Sequence, residues 1–303
     1  MIMEFIQADT IDQYNRFFGI ETRHPLVSIV HFDGNEKQQP HRMVFGFYAL
    51  FLKQTHGCKI NYGKTIYDYD DDTVVSFAPG QSVEIEPVEN SSTPKAIGLL
   101  FHPEFLYRTP LAQKIKQYSF FSYTSNEALH LSQQEQAIIE DYMNKIELEL
   151  QHPIDRFSKS LIVSNIEVLL NYCMRFYERQ FITREHLNHN TLARFEHLLD
   201  DYLDSDQALI EGIPTVRFFA DKICLSPNYF GDLVKQQTGK TAQEYIHLKM
   251  LSRAKEQMMD PDKNIKQVAE SLGFQYPQHF VRFFKRMEGC TPKEFRLRLT
   301  RGA

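Results

Sequence analysis

The last third of the chain states one local pattern twice, and this repetition constrains the fold more than any other feature. The first copy covers residues 216–223, breaks at Cys224-Leu225-Ser226-Pro227, continues through 228–235 and closes at Gly239-Lys240-Thr241. The second covers 265–272, breaks at Gly273-Phe274-Gln275-Tyr276-Pro277, continues through 278–285 and closes at Gly289-Cys290-Thr291. Each copy reads as a short helix, a tight turn and a second helix, the unit that lays one helix in a DNA major groove. Two copies joined by one helix, predicted over 242–259, imply a reader of two neighbouring groove segments. Thr215 and Asn264 have the chemistry to cap the opening helix of each copy.

Within each copy, apolar residues set the crossing of two helices. Phe219, Ala220, Ile223, Phe230 and Leu233 serve in the first, and Val268, Ala269, Leu272, Phe280 and Phe284 in the second. The polar residues left over define the outer face of each second helix. They are Asn228, Tyr229, Asp232, Lys235 and Gln236, then Gln278, His279, Arg282, Lys285 and Arg286. Arg bonds guanine bidentately, and Asn or Gln bonds adenine. Lys and Arg farther along suit phosphates. These ten residues are the expected DNA-binding set. For Arg282 an alternative is an ion pair with Glu288, leaving base contacts to His279 and Gln275.

Charge is distributed accordingly. The 303 residues carry a net −5, yet residues 226–303 hold 14 Lys and Arg against 8 Asp and Glu, leaving 20 against 31 in the rest. A basic end on an acidic body suits a DNA-binding domain attached to one that does not bind DNA. The length suggests two domains. The four cysteines are far apart, without CxxC spacing, and read as buried free thiols. The N-terminus lacks a secretion signal and no run approaches the ~20 apolar residues of a membrane span, so a cytoplasmic location is expected.

Residues 25–102 read as strands. Candidates lie at 26–31, 42–53, 58–62, 73–78, 82–85 and 96–101, with turn signals at 55–57, 62–64, 79–81 and 89–94. Many short strands with Gly and Pro turns argue for a sandwich or small barrel. The period then becomes helical at 103–118, 133–150 and 155–179. The last two helices carry more apolar surface than a hairpin buries. Packing on the barrel and pairing with a second copy of the chain both account for it. The polar stretch 183–189 reads as a linker, followed by a helix from about 191 to 203. The expected layout is α+β: residues 1–182 as a sensory and dimerisation domain, 183–189 as linker, and 190–303 as an all-α domain of two helix-turn-helix units.

LSPNYFGDLVKQQTGKTAQEYI and LGFQYPQHFVRFFKRMEGCTPKEFR, within about 191–298, resemble the two halves of the DNA-binding domain of the AraC/XylS family of bacterial transcription regulators. The Gly-Phe, Phe-x-Arg-x-Phe-Lys and Gly-x-Thr-Pro-x-Glu-Phe elements of the second are highly specific. The resemblance implies recognition helices in successive major grooves on one DNA face. By position it makes Asn228, Gly231 and Asp232, then Gln278, His279, Val281 and Arg282, base-facing. Asp232 departs from the pattern, since many relatives carry Arg there. An acid repels phosphate and cannot bond guanine, so the second helix is expected to read more of the sequence. The front of the chain is similar in layout to the family's cupin-like sensory barrel with dimerising helices, which implies a small-molecule effector and a homodimer. Double-stranded DNA and RNA polymerase are the macromolecular partners this layout allows.

An alternative for the same front half is a cupin-type enzyme. His31, His41, His56 and His102 show no His-x-His cluster with a carboxylate at ligand spacing. No catalytic arrangement and no phosphate loop stand out, so no metal, cofactor or catalytic residue is expected. Residues 67–72 read as a solvated acidic turn or a sugar or peptide contact. Phe45, Phe47, Tyr48 and Phe51 either line a ligand cavity or pack as core. No effector-binding residue is assignable.

Overall fold

The computed structural model describes residues 4–33, 41–53, 58–61, 73–87, 95–123, 127–183, 185–260 and 262–301. The turn signals at 55–57, 62–64 and 89–94, His56 and the acidic run 67–72 lie wholly or almost wholly outside them. The chain divides into two compact units, 1–183 and 184–303. Among the described residues, no helix is long and apolar enough to cross a membrane.

The first unit is mixed α and β. It contains β1 (Glu4–Ala8), α1 (Ile11–Phe17), β2 (Val27–Asp33), β3 (His41–Phe45), β4 (Tyr48–Lys53), β5 (Cys58–Asn61), β6 (Thr73–Phe77), β7 (Ser82–Pro87) and β8 (Lys95–Phe101). Then come α2 (Leu111–Lys114), β9 (Leu129–His130), α3 (Gln133–Gln151) and α4 (Ser158–Thr183). One sheet has the order β1-β3-β7-β5 and the other β2-β8-β4-β6-β9. Among the described residues neither pairing closes on itself. The core cluster draws from both sheets, with Met43, Phe45 and Val83 from one and Val30, Val75, Phe77 and Leu100 from the other. That arrangement is a sandwich.

The apolar run 42–53 is two strands in different sheets, where its composition predicts one. The break is Gly46, whose N–H donates to the Ala8 carbonyl at 2.8 Å. A Cβ there would lie 2.5 Å from the Asp9 carbonyl oxygen, so only glycine admits the crossing chain. Residues 103–118 form short 3-10 and α turns where one helix is predicted. Pro103 and Pro110 restrict the backbone, and the Thr109 hydroxyl donates to the Leu106 carbonyl at 2.6 Å.

Helices α3 and α4 fall where the periodicity puts them. Ser132 and Glu135 cap α3 reciprocally. Arg179 of α4 then grips Glu135 at 2.7 Å and the His130 carbonyl at 2.7 Å. Helix α3 buries Ile139, Met143 and Ile146 and packs on α4, β2, β4 and β8.

The second unit is all helical: α5 (Glu185–Asp204), α6 (Gln207–Glu211), α7 (Val216–Ile223), α8 (Pro227–Thr238), α9 (Ala242–Met259), α10 (Ile265–Ser271), α11 (Pro277–Glu288) and α12 (Pro292–Arg301). Helix α5 starts at Glu185, inside the stretch read as a linker. No Gly or Pro interrupts residues 185–190, and polarity alone does not stop a helix. The buried ring of Phe195 meets Phe219 and Phe230 edge-on at 5.2 and 5.0 Å. Beside it, α5 and α9 run in the same direction, joined by a polar ladder. Tyr245 donates to Glu196, Lys249 pairs with Asp200 at 3.2 Å, and Arg253 pairs with Asp204 at 2.5 Å. Burial, then the Glu196 carboxylate, pushes the Tyr245 phenol up to about 12.

Candidate nucleic-acid interface

Both helix-turn-helix units are built by local chemistry. The Thr215 hydroxyl accepts from the Phe218 N–H at 3.2 Å and so starts α7. Asn264 and Gln267 form the reciprocal cap of α10 at 2.9 and 2.8 Å. Pro227 and Pro277 open the second helices, where a missing N–H is harmless.

The two turns are equivalent. Leu225 N–H donates to the Ala220 carbonyl and Phe274 N–H to that of Ala269, each at 3.0 Å. The residue before each donor is left-handed, Cys224 at φ +65° and Gly273 at φ +85°. Their surroundings differ. Cys224 is exposed, which corrects the expectation that all four thiols are buried. Cys173 and Cys290 are buried, and burial pushes the Cys173 thiol up to about 12. At Gly273 a Cβ would meet the Gly212 carbonyl carbon and oxygen at 2.3 Å and the Ile213 nitrogen at 2.7 Å. The Tyr202 hydroxyl donates to that same Gly212 carbonyl at 2.9 Å and holds it in place. This contact between two glycines and a tyrosine is absent from the sequence reading. Its only signal is the isolated Gly212 and Gly273.

The outer faces present most of the predicted residues. On α8, Asn228, Lys235 and Gln236 are exposed and Asp232 is half-buried. Tyr229 is 6% exposed and leaves the DNA-binding set as a correction. It lies one turn before Leu233, on the face that α8 turns inward, so its ring packs rather than projects. Around Gly231 a Cβ would find open space. On α11, Gln278, His279, Arg282, Lys285 and Arg286 are all exposed. Glu288, the acid that could have paired with Arg282, is taken by Lys255 at 2.5 Å. Behind this face, burial and then the Arg286 charge hold the His247 pKa below its ordinary value.

The histidines of the first unit have other partners. His24 Nδ1 accepts from the Leu26 N–H at 3.1 Å, and His102 Nδ1 accepts from that of Glu104 at 3.3 Å. His31 Nε2 lies 3.0 Å from a Glu147 carboxylate oxygen. No group of three or more His, Cys, Asp or Glu able to hold a metal ion occurs among the described residues. Phe45 and Phe47 lie inside the sandwich core with Tyr14 and Phe77. Phe51 crosses Gly98, where a Cβ would come within 2.5 Å of its ring. These rings pack as core.

Residues 219–298 match the family model described as a helix-turn-helix domain. The chain is 33% identical over 110 residues to the HTH-type transcriptional activator RhaS of Escherichia fergusonii, covering 35% of this chain and 37% of that protein. It is 37% identical over 78 residues to the uncharacterized transcriptional regulatory protein YesN of Bacillus subtilis, covering 25% and 21%. It is 29% identical over 101 residues to the arabinose operon regulatory protein of Salmonella typhimurium, covering 33% and 32%. The matches thus span between 21 and 37% of these relatives' length. Matched segment, paired turns and outward polar helices agree: the C-terminal unit of this chain is the double helix-turn-helix domain of the AraC family.

Proposed function

We propose that the chain is a sequence-specific transcription regulator that lays α8 and α11 in successive major grooves of double-stranded DNA. The observation behind this reading is the exposed face of α11, where Gln278, His279, Arg282, Lys285 and Arg286 stand free of acidic neighbours on the same face. Selection of bound sequences from a random duplex pool tests it. A common motif should emerge, and retention of no sequence at low salt sinks the reading. Affinity should fall steeply with salt as phosphate contacts release counterions. Lys235→Ala and Lys285→Ala should each weaken all sequences alike and reduce the slope of log K against log salt by about one. A shift in base preference in either variant would show that lysine to be a base reader instead.

In this reading the first unit senses a small molecule and pairs two copies of the chain. A ligand that binds two arrangements of the dimer unequally shifts their populations and so changes DNA affinity. Support for pairing comes from α4, which leaves Leu161 46%, Val168 36% and Ile182 59% exposed. These positions recur at multiples of seven, the spacing of a helix–helix seam. Sedimentation of the full chain at micromolar concentration should give a dimer, and Leu161→Glu with Val168→Glu should give a monomer. A dimer unaffected by both substitutions places the contact elsewhere.

A further inference from the structure

The loop after α6, helix α9 and the second helix-turn-helix unit line a cleft of about 330 Å³ that the proposed DNA-reading face touches only at its rim. That volume lies within the range of small-molecule sites. Its floor is apolar, formed by Ile213, Met250, Phe274 and Phe283. The two rings are 5.4 Å apart. Ile213 is 41% exposed and offers an aliphatic wall.

The rim is cationic. Arg282 and Arg286 stand one turn apart on α11, and neither has an ion pair among the described residues. Glu288 is held by Lys255 and cannot neutralise them. His247 closes the cleft from α9, its ring 5.5 Å from that of Phe283. A DNA phosphate satisfies the guanidiniums but makes no contact with the apolar floor or with the exposed Ile213 wall. A carboxylate on an aromatic or aliphatic body satisfies both, through charge-assisted hydrogen bonds at one end and ring contacts at the other.

We infer that this cleft binds a small amphipathic carboxylate, its anion bridged by Arg282 and Arg286 and its body laid on Phe274 and Phe283. Arg282 and His279 belong to the proposed base-reading face, so a seated carboxylate and DNA exclude each other. That consequence rests on the DNA-binding reading, whereas binding of the carboxylate does not.

The test titrates the full chain, without DNA, with naphthalene-2-carboxylate, its neutral amide and inorganic phosphate, followed by calorimetry at low salt. Saturable one-site binding is expected for the carboxylate, with the amide at least tenfold weaker and phosphate not saturating. Ile213→Glu, which sets an anion in the apolar wall, should weaken the carboxylate at least tenfold. Arg286→Gln, on the exposed helix face, should do the same and gives a second check if the first variant misfolds. In a separate arm the carboxylate should raise the apparent Kd for a selected duplex in proportion to its concentration. Phosphate binding as tightly as the carboxylate would reduce the cleft to a phosphate seat and overturn the proposal. So would carboxylate binding that neither substitution moves. Absence of saturable carboxylate binding to the wild-type chain, with DNA binding intact, sinks the cleft alone. Carboxylate binding in a chain that retains no duplex sinks the DNA reading and leaves the cleft standing.

Discussion

Gly273→Ala is expected to destabilise the C-terminal unit by on the order of 3 kcal/mol and to abolish binding to selected DNA at growth temperature. Two costs add. A left-handed backbone costs a residue with a Cβ about 1–2 kcal/mol, and Gly273 sits at φ +85°. The Cβ would also press to 2.3 Å on the Gly212 carbonyl, and overpacking costs about 1–3 kcal/mol more. Against a total stability of about 5–15 kcal/mol this is a large fraction. Thermal unfolding of the full chain should show one transition lowered by roughly 10 °C. Cys224, the equivalent residue of the first turn, is the control. It is left-handed but exposed, so Cys224→Gly should relieve strain and leave stability equal or slightly raised. An unchanged transition in Gly273→Ala would show that the loop holding Gly212 moves aside freely, and the close approach would then carry no weight.

Arg282→Ala should cost about 1–3 kcal/mol on its cognate duplex, a loss of roughly five- to 150-fold, and relax the preference at one or two base positions. Arg282 is exposed and makes no ion pair among the described residues, so its removal leaves no buried charge behind. The substitution therefore reports on the interface and not on folding. The measurement is the base-preference profile of wild type and variant over a randomised site. A uniform fall in affinity with an unchanged profile would reassign Arg282 to phosphate contact. With Asp232 half-buried on α8, the first helix is expected to be the weaker reader, and Asp232→Arg tests that asymmetry by the same profile.

Local chemistry was legible and long-range approach was not. Thr215 and Asn264 announce helix starts because a cap is decided within four residues. The long periods of α3, α4 and α9 survive any register error of a residue or two. Tyr229 was misplaced because a polar hydroxyl marks it as a surface residue, whereas its spacing from Leu233 puts it inside. The strand break at Gly46 depends on Asp9, and the pinned turn at Gly273 depends on Gly212. Each needs a partner dozens of residues away, and a single glycine does not name that partner. Strand β1 and helix α1 are five and seven residues long, too short for periodicity to declare them. Nine of the ten proposed site residues lie exposed or half-buried on the two second helices, because helical spacing alone separates an outer face from an inner one.

The ladder between α5 and α9 has a degeneracy built into it. Its rungs, Glu196 with Tyr245, Asp200 with Lys249 and Asp204 with Arg253, recur every four residues on both helices. If α9 slid by one repeat, about 6 Å at 1.5 Å per residue, Glu196 would face Lys249 and Asp200 would face Arg253. Acid would still meet base. The rungs thus set the rotation of α9 about its axis but leave its position along that axis open. What selects one position is the apolar face of α9, where Ile246, Met250, Leu251, Ala254 and Met258 are buried against α7, α8, α10 and α11. The helix that spaces the two recognition helices is therefore indexed by its apolar face and not by its charges. Small residues on that face would leave two ion pairs available in either register and the spacing of the two recognition helices undefined.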